Sequence, residues 1–218
     1  MTNYNQILED LKPYGAQLIA VSKTKPEARL MEFYDQGQRV FGENYVQELC
    51  DKAANLPKDM EWHLIGHLQS NKVKYVAPFV SMIHTVDSLS LLLEINKQAL
   101  KHKRKINVLL QFKINDEATK FGLTQEEATQ ILDNKLFMNC ENIIICGVMG
   151  MATFTDNKAQ VRQEFKALKQ IFDDLKVNYF ADAPHFKDIS MGMSDDYPIA
   201  LEEGSTMIRV GSLLFGGR

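Results

Sequence analysis

The chain has 218 residues, a formal net charge of −3, and 45% hydrophobic and 24% charged residues. That length suits one large domain, the composition is ordinary for a globular protein in water, and the charge argues against nucleic acid or an anionic membrane as the main partner. The three cysteines, Cys50, Cys140 and Cys146, make no closely spaced metal-binding pair, no signal peptide or membrane-spanning run is visible, and the expected setting is the cytoplasm.

Taken in order, Tyr4 to Lys12 reads as a short helix with Ile7, Leu8 and Leu11 on one face. Gly15 ends it, and a strand follows over Gln17 to Ser22. Pro26 then opens a helix through Leu30, Met31, Phe33 and Tyr34, closed at Gly37. Arg39 to Gly42 is a second strand, followed by a helix from Tyr45 to about Leu56. Trp62 to Ile65 is a third strand, followed by a short helix over Asn71 to Phe79.

Ser81 to Val86 is a fourth strand, and Asp87-Ser88 caps a helix to about His102. Lys105 to Ile114 is a fifth, Asn115 to Gly122 a polar loop, and Thr124 with Glu127 a capping box opening the next helix. Asn142 to Met151 is a sixth strand. A long helix follows, with Val161, Phe165, Leu168, Ile171, Phe172 and Leu175 at helical spacing. Phe186 to Met191 is a seventh strand, and Asp195 or Asp196 caps a helix closed by Gly204. Met207 to Phe215 is an eighth strand. Apolar strands alternating with helices imply parallel pairing buried on both faces, and eight such units predict one domain over residues 1–218, a closed (β/α)8 TIM barrel.

Barrel sites lie where strands end. Lys23 stands there, just before Pro26, where a strand stops and a helix begins. Position alone suits a lysine reaching out to solvent. A desolvated lysine there would instead be a nucleophile for an aldehyde, through a Schiff base. Asn44 follows the second strand, Gly66 and His67 the third, and Met149 to Ala152 the sixth. The loops after the last two strands carry Gly192, Ser194, Gly211 and Ser212. Glycine amides and serine hydroxyls in those two places suit a phosphate. Alternation puts Met207, Arg209 and Gly211 on one face of the eighth strand and Ile208 and Val210 on the other. Arg209 therefore points into the barrel mouth, and closure sets it beside the strand of Lys23. A reactive lysine, a phosphate cradle and an arginine beside a planar ring together point to pyridoxal 5′-phosphate. Arginine stays charged and cannot protonate the ring nitrogen, so the ring would be a weak electron sink.

The stretches Leu18-Ile-Ala-Val-Ser-Lys-Thr-Lys-Pro26, Phe41-Gly-Glu-Asn-Tyr-Val-Gln-Glu48, Trp62-His-Leu-Ile-Gly-His-Leu-Gln-Ser-Asn-Lys72, Ser190-Met-Gly-Met-Ser-Asp195 and Ile208-Arg-Val-Gly-Ser212 resemble the pyridoxal phosphate homeostasis protein family, also called proline synthetase co-transcribed homologues. The resemblance spans nearly the whole chain. It implies an alanine-racemase-like barrel of fold type III, with pyridoxal phosphate on Lys23. It also implies a role in binding, buffering or delivering that cofactor, without established turnover. Carried over by motif, Arg209 meets the ring nitrogen, Ser194, Gly211 and Ser212 meet the phosphate, and Asn44 and Met149 are pocket neighbours.

Two departures from the family pattern stand out: a short N-terminal helix, and no visible helix after the eighth strand. Racemases sharing the barrel carry a second, β-rich domain and take a tyrosine from a partner chain, and nothing in this sequence encodes that domain. The reading is therefore of a monomeric carrier serving apo-enzymes, set against a racemase-like enzyme and a cofactor-free Schiff-base aldolase. His63, His67 and His84 lack a metal-ligand spacing. The basic stretch Lys97 to Lys105, with Lys72 and Lys74, reads as solvated helix ends.

Overall fold

The computed structural model describes residues 3–115 and 121–216. In chain order these form α1 (Asn3–Leu11), β1 (Gln17–Val21), α2 (Glu27–Tyr34), β2 (Val40–Glu43), α3 (Val46–Asn55), β3 (Glu61–Leu64), α4 (Val73–Val76), β4 (Met82–Val86), α5 (Leu89–Lys101), β5 (Ile106–Gln111), α6 (Gln125–Leu132), α7 (Lys135–Met138), β6 (Ile143–Met149), α8 (Lys158–Tyr179), β7 (Asp188–Ser190), α9 (Tyr197–Glu202), β8 (Met207–Val210) and α10 (Ser212–Phe215). The strands close in sequence order into one parallel barrel, with β8 paired to β1.

The side-chain period of two divides the apolar residues into two bodies. One face of each strand packs against the helices, as Leu18, Ala20, Phe41, Leu64, Ile208 and Val210 do. The other fills the barrel with Ile19, Val40, Met82, Leu109, Cys146, Met149 and Met207. The helices follow their caps. Ser88 Oγ accepts from the Leu91 amide, and Thr124 and Glu127 form both bonds of the predicted capping box.

Several boundaries differ from expectation, three of them in ways that need a reason. The strand predicted from Met207 to Phe215 ends at Val210, and Ser212–Phe215 is a helical turn. Leu213-Leu214-Phe215 is too short an apolar run for its periodicity to separate strand from helix. Packing settles it. Phe215 meets the Phe33 ring edge-on at 4.8 Å, and Asn3 Nδ2 donates to the Leu213 carbonyl at 3.0 Å. A short final helix therefore does follow β8. The helix predicted over Asn71 to Phe79 starts as a 3-10 turn at Ser70–Lys72 and becomes α4. The fifth strand stops at Gln111, and residues 116–120 of the polar loop lie outside the described set.

β6 carries a bulge. Val108 pairs with Ile145 but Leu109 with Gly147, so Cys146 is an extra residue. Cys146 and Met149 consequently both face the interior, three residues apart.

Candidate functional site

At the C-terminal rim of the strands lies a cleft of about 400 Å³. Its lining includes Lys23, Asn44, Ser194, Arg209, Gly211 and Ser212, six of the residues singled out in the sequence. Met149 is the correction. It is fully buried, and its register partners are Ser190 and, through it, Met207. Met207 lies two residues before Arg209 on the same face, so Met149 belongs to the layer beneath the cleft. Met151, two residues further on, lines the cleft in its place.

Each element delivers its residue for a local reason. Ile19 pairs with Arg209 across the β1–β8 seam, which brings the end of β1 alongside Gly211. Lys23 lies two residues past the end of β1, in the turn before α2, and is half-buried. Its ammonium makes no hydrogen bond or ion pair among the described residues. Lys25, also on the lining, donates to the Gly216 carbonyl at 3.1 Å.

Asn44 is held by the neighbouring strand exit. A Cβ on Gly66 would lie 2.3 Å from the Asn44 carbonyl oxygen, so only glycine permits this approach. Gly192, at φ +93°, does the same for α9. A Cβ there would meet Ala200 Cβ at 2.6 Å. The Gly192 carbonyl accepts the Arg209 amide at 2.9 Å, which joins the exit of β7 to β8.

Met193, Ser194 and Asp195, in the turn between Gly192 and α9, and Gly211 and Ser212, at the start of α10, line the cleft. The amides of Ser194 and Asp195 have no acceptor among the described residues. The amides of Ser212 and Leu213 open α10 and have no intrahelical partner. Asp196 closes the turn from behind, its Oδ1 accepting the Met193 amide at 2.6 Å. Uncommitted amides and two serine hydroxyls beside an unpaired lysine fit a phosphorylated aldehyde.

Beneath the cleft runs a buried polar chain. Arg209 donates through Nη1 to Ser190 Oγ at 2.6 Å and through Nη2 to the Gly150 carbonyl at 3.0 Å. Ser190 Oγ is 2.9 Å from His84 Nδ1, and His84 Nε2 is 2.9 Å from His63 Nδ1. Burial lowers the His63 pKa to about 4. Burial, then the nearby His63 and Arg209, hold His84 well below the ordinary histidine range. Both imidazoles are therefore neutral at pH 7. Burial brings Arg209 down to about 10, opposed by the Asp196 charge, and it remains a cation at neutral pH. The paired rings account for His63 as a core residue, and among the described residues no three His, Cys, Asp or Glu side chains converge on a metal position. In the sequence His84 is weighed only as a metal ligand and Ser190 appears only within a motif, so the chain they form with Arg209 was not foreseen. Alternation from Arg209 and Ser190 into the barrel was the available signal, but which inward residues touch depends on the closed register.

This histidine chain has a measurable pH signature. An unfolded histidine titrates near 6.5 and His63 near 4, so between these values the unfolded state binds the extra proton and stability falls as pH falls. The full span corresponds to about 3 kcal/mol. Asp188, raised to about 6 by burial, acts in the opposite sense over much of the same window. The clean observable is therefore a difference. The stability gap between wild type and His63→Gln should narrow by about 3 kcal/mol from pH 7 to pH 4 in urea titrations. A constant gap would mean that His63 is not held neutral.

The family model for the alanine racemase N-terminal domain matches residues 1–218. A pyridoxal phosphate homeostasis protein from Aquifex aeolicus is 40% identical, over 93% of this chain and 87% of its own. The structure of PipY from Synechococcus elongatus PCC7942 with PLP bound superimposes with a TM-score of 0.84 at 34% identity, covering 98% of both chains. An alanine racemase from Bartonella henselae shares the fold at TM-score 0.73 and 18% identity, and the match covers 99% of this chain but 57% of the racemase. With 40% identity to a relative matched over 87% of its length, and the racemase-type barrel matched end to end, this chain belongs to the pyridoxal phosphate homeostasis protein family.

Proposed function

We propose that this protein binds pyridoxal 5′-phosphate, holds it covalently on Lys23, and buffers or delivers it as part of cofactor homeostasis, without catalytic turnover. The observation that carries this reading is a Lys23 amine with no partner among the described residues, on a cleft whose lining includes Ser194, Asp195 and Ser212, residues whose amides are uncommitted among the described residues. When bound, the cofactor supplies an aldehyde that condenses with an amine and releases water.

The chain's own residues divide the remaining work. Lys23 provides the amine. Ser194, Ser212 and the amides at 194, 195 and 212 would hold the phosphate, with Gly211 adding no side chain to that wall. Arg209 donates toward the ring nitrogen, and its guanidinium is locked by Ser190 and Gly150. Asn44 and Met151, also on the lining, would flank the ring.

Racemisation needs a proton donor and a proton acceptor on opposite faces of the substrate carbon. The cleft is lined by Lys23, Lys25, Arg209 and Asp195 and otherwise by apolar or neutral groups, with no Tyr, His, Cys or Glu among the described lining residues. Lys25 is committed to the Gly216 carbonyl. That composition offers no second acid–base group from within this chain, which supports a carrier over a racemase that works from one chain alone. The recipients would be apo forms of enzymes that use the cofactor, met in the cytoplasm by a monomeric donor.

The test mixes purified protein with pyridoxal phosphate and then with single-enantiomer amino acids. Yellow protein that leaves enantiomers unchanged, yet hands its cofactor to an apo-enzyme, fits the carrier. Colourless protein would refute cofactor binding. Lys23-dependent loss of optical purity would establish the racemase reading instead.

A further inference from the structure

The turn that carries Lys23 is held from outside the barrel. Lys52, on α3, is the one lysine that is buried among the described residues. Its ammonium donates to the Ser22 carbonyl at 2.8 Å, to Glu43 Oε1 at 2.7 Å and to Glu48 Oε1 at 2.7 Å. Three donors meet three acceptors. The same Glu48 oxygen accepts the Thr24 amide at 2.6 Å, and the Ser22 hydroxyl donates to Glu43 Oε1 at 2.6 Å. The residues on both sides of Lys23 are thus bonded into one cluster, while Lys23 itself is left out.

Two features of this cluster are costly. Thr24 adopts φ +62°. That is the left-handed region, unfavourable for a β-branched residue, and it persists only where the surroundings enforce it. Glu43 Oε2 is buried with no hydrogen-bond partner among the described residues, in a group of two carboxylates around one ammonium. Apolar residues of similar size would fill such a space more cheaply. A strained residue beside the proposed reactive lysine, enforced by a buried charge cluster, is the pattern expected where placement matters more than stability.

We infer that Lys52 is a positioning residue. Acting through Glu48 and the Ser22 carbonyl, it holds Thr24 in its left-handed conformation, fixes where the Lys23 amine stands in the cleft, and so sets how fast the cofactor is captured and released. The inference rests on the assignment of Lys23 made under the proposed function. Lys52 is not among the described residues that line the cleft. Its effect must therefore pass through the backbone of the turn.

The experiment compares full-length wild type, Lys52→Met, Glu48→Ala, Thr24→Asn, and each of the first two variants combined with Thr24→Asn. Glu48 is partly exposed, so Glu48→Ala serves where Lys52→Met does not fold. Hydrogen exchange of the peptide covering residues 22–25 is read without cofactor, and release of pyridoxal phosphate to an excess of an apo-aminotransferase is read with it. Loss of a charge-assisted bond should raise both rates about tenfold. Asparagine accepts the left-handed conformation more readily, so in the Thr24→Asn background the effect on release should shrink to less than about threefold. Unchanged exchange and release in Glu48→Ala, or equal effects in both backgrounds, would reduce Lys52 to a fold-supporting residue and overturn the inference. Borohydride fixation on a lysine other than Lys23 in wild type would overturn the assignment of Lys23, and this inference with it.

Discussion

Replacing Lys23 by alanine should leave no pyridoxal phosphate that borohydride can fix to the chain, while the protein folds as well as before. The two halves of this expectation come from different observations. Lys23 is half-buried and makes no hydrogen bond or ion pair among the described residues, so its removal strips nothing from the fold. Stability should stay within about 0.5 kcal/mol of wild type, as for other substitutions away from packed or bonded positions. Cofactor binding loses its covalent contribution and keeps only the amides, the serines and Arg209. A fall in affinity of roughly two orders of magnitude, about 3 kcal/mol, is the expected scale. The measurement is mass spectrometry of the borohydride-treated protein alongside a urea unfolding curve. Lys25 is the internal control, since it lines the same cleft but is bonded to Gly216. Cofactor still fixed in Lys23→Ala, and lost in Lys25→Ala, would move the attachment two residues along the chain.

Most of what places Lys23 and Arg209 was legible in the residues. Strand alternation turned Arg209 inward, and closure brought β8 against β1 with Ile19 opposite Arg209. Period-two reasoning needs nothing beyond the strand itself. It fails where the strand is irregular. The bulge at Cys146 and the barrel register together put Met149 one layer too deep, and neither is written in the local sequence of β6. The overrun of β8 has the mirror cause. Leu213, Leu214 and Phe215 are apolar because α10 packs on the helix layer, and apolarity alone does not distinguish that from a buried strand.

The buried polar clusters were less legible, for a different reason. Glu48 and Lys52 stand four apart on one helix, and that spacing alone would have suggested their pairing. Their contact with Ser22 and Glu43 joins three elements, and Ser190 meets His84 across 106 residues. Such contacts follow from barrel closure, which fixes which inward and outward residues share a level. Which residues stand on the rim was thus readable one by one, and the shell that holds the rim was not.

Arg209 is where these two layers meet, and Arg209→Met should separate binding from folding. Two opposing effects act on stability. The guanidinium is fully buried and its pKa is lowered to about 10 from the usual 12.5, so the fold bears a desolvation cost of about 3 kcal/mol that methionine removes. Against that, the Gly150 carbonyl loses its donor and Ser190 Oγ loses one of its two neighbours, at about 1–3 kcal/mol for each buried group left unsatisfied. These terms nearly cancel. Cofactor-free Arg209→Met should therefore unfold within about 2 kcal/mol of wild type. Nothing cancels on the binding side. In the proposed role a charged donor toward the ring is lost, and the expected drop in affinity is about tenfold to a hundredfold, with a shifted visible spectrum. Arg209→Lys should keep the charge but not the fork that spans Ser190 and Gly150, and so recover only part of the affinity. Calorimetric melting of the cofactor-free protein and spectral titration with pyridoxal phosphate read the two effects independently. Severe destabilisation with unchanged affinity would make Arg209 a structural residue of the barrel and remove it from the site.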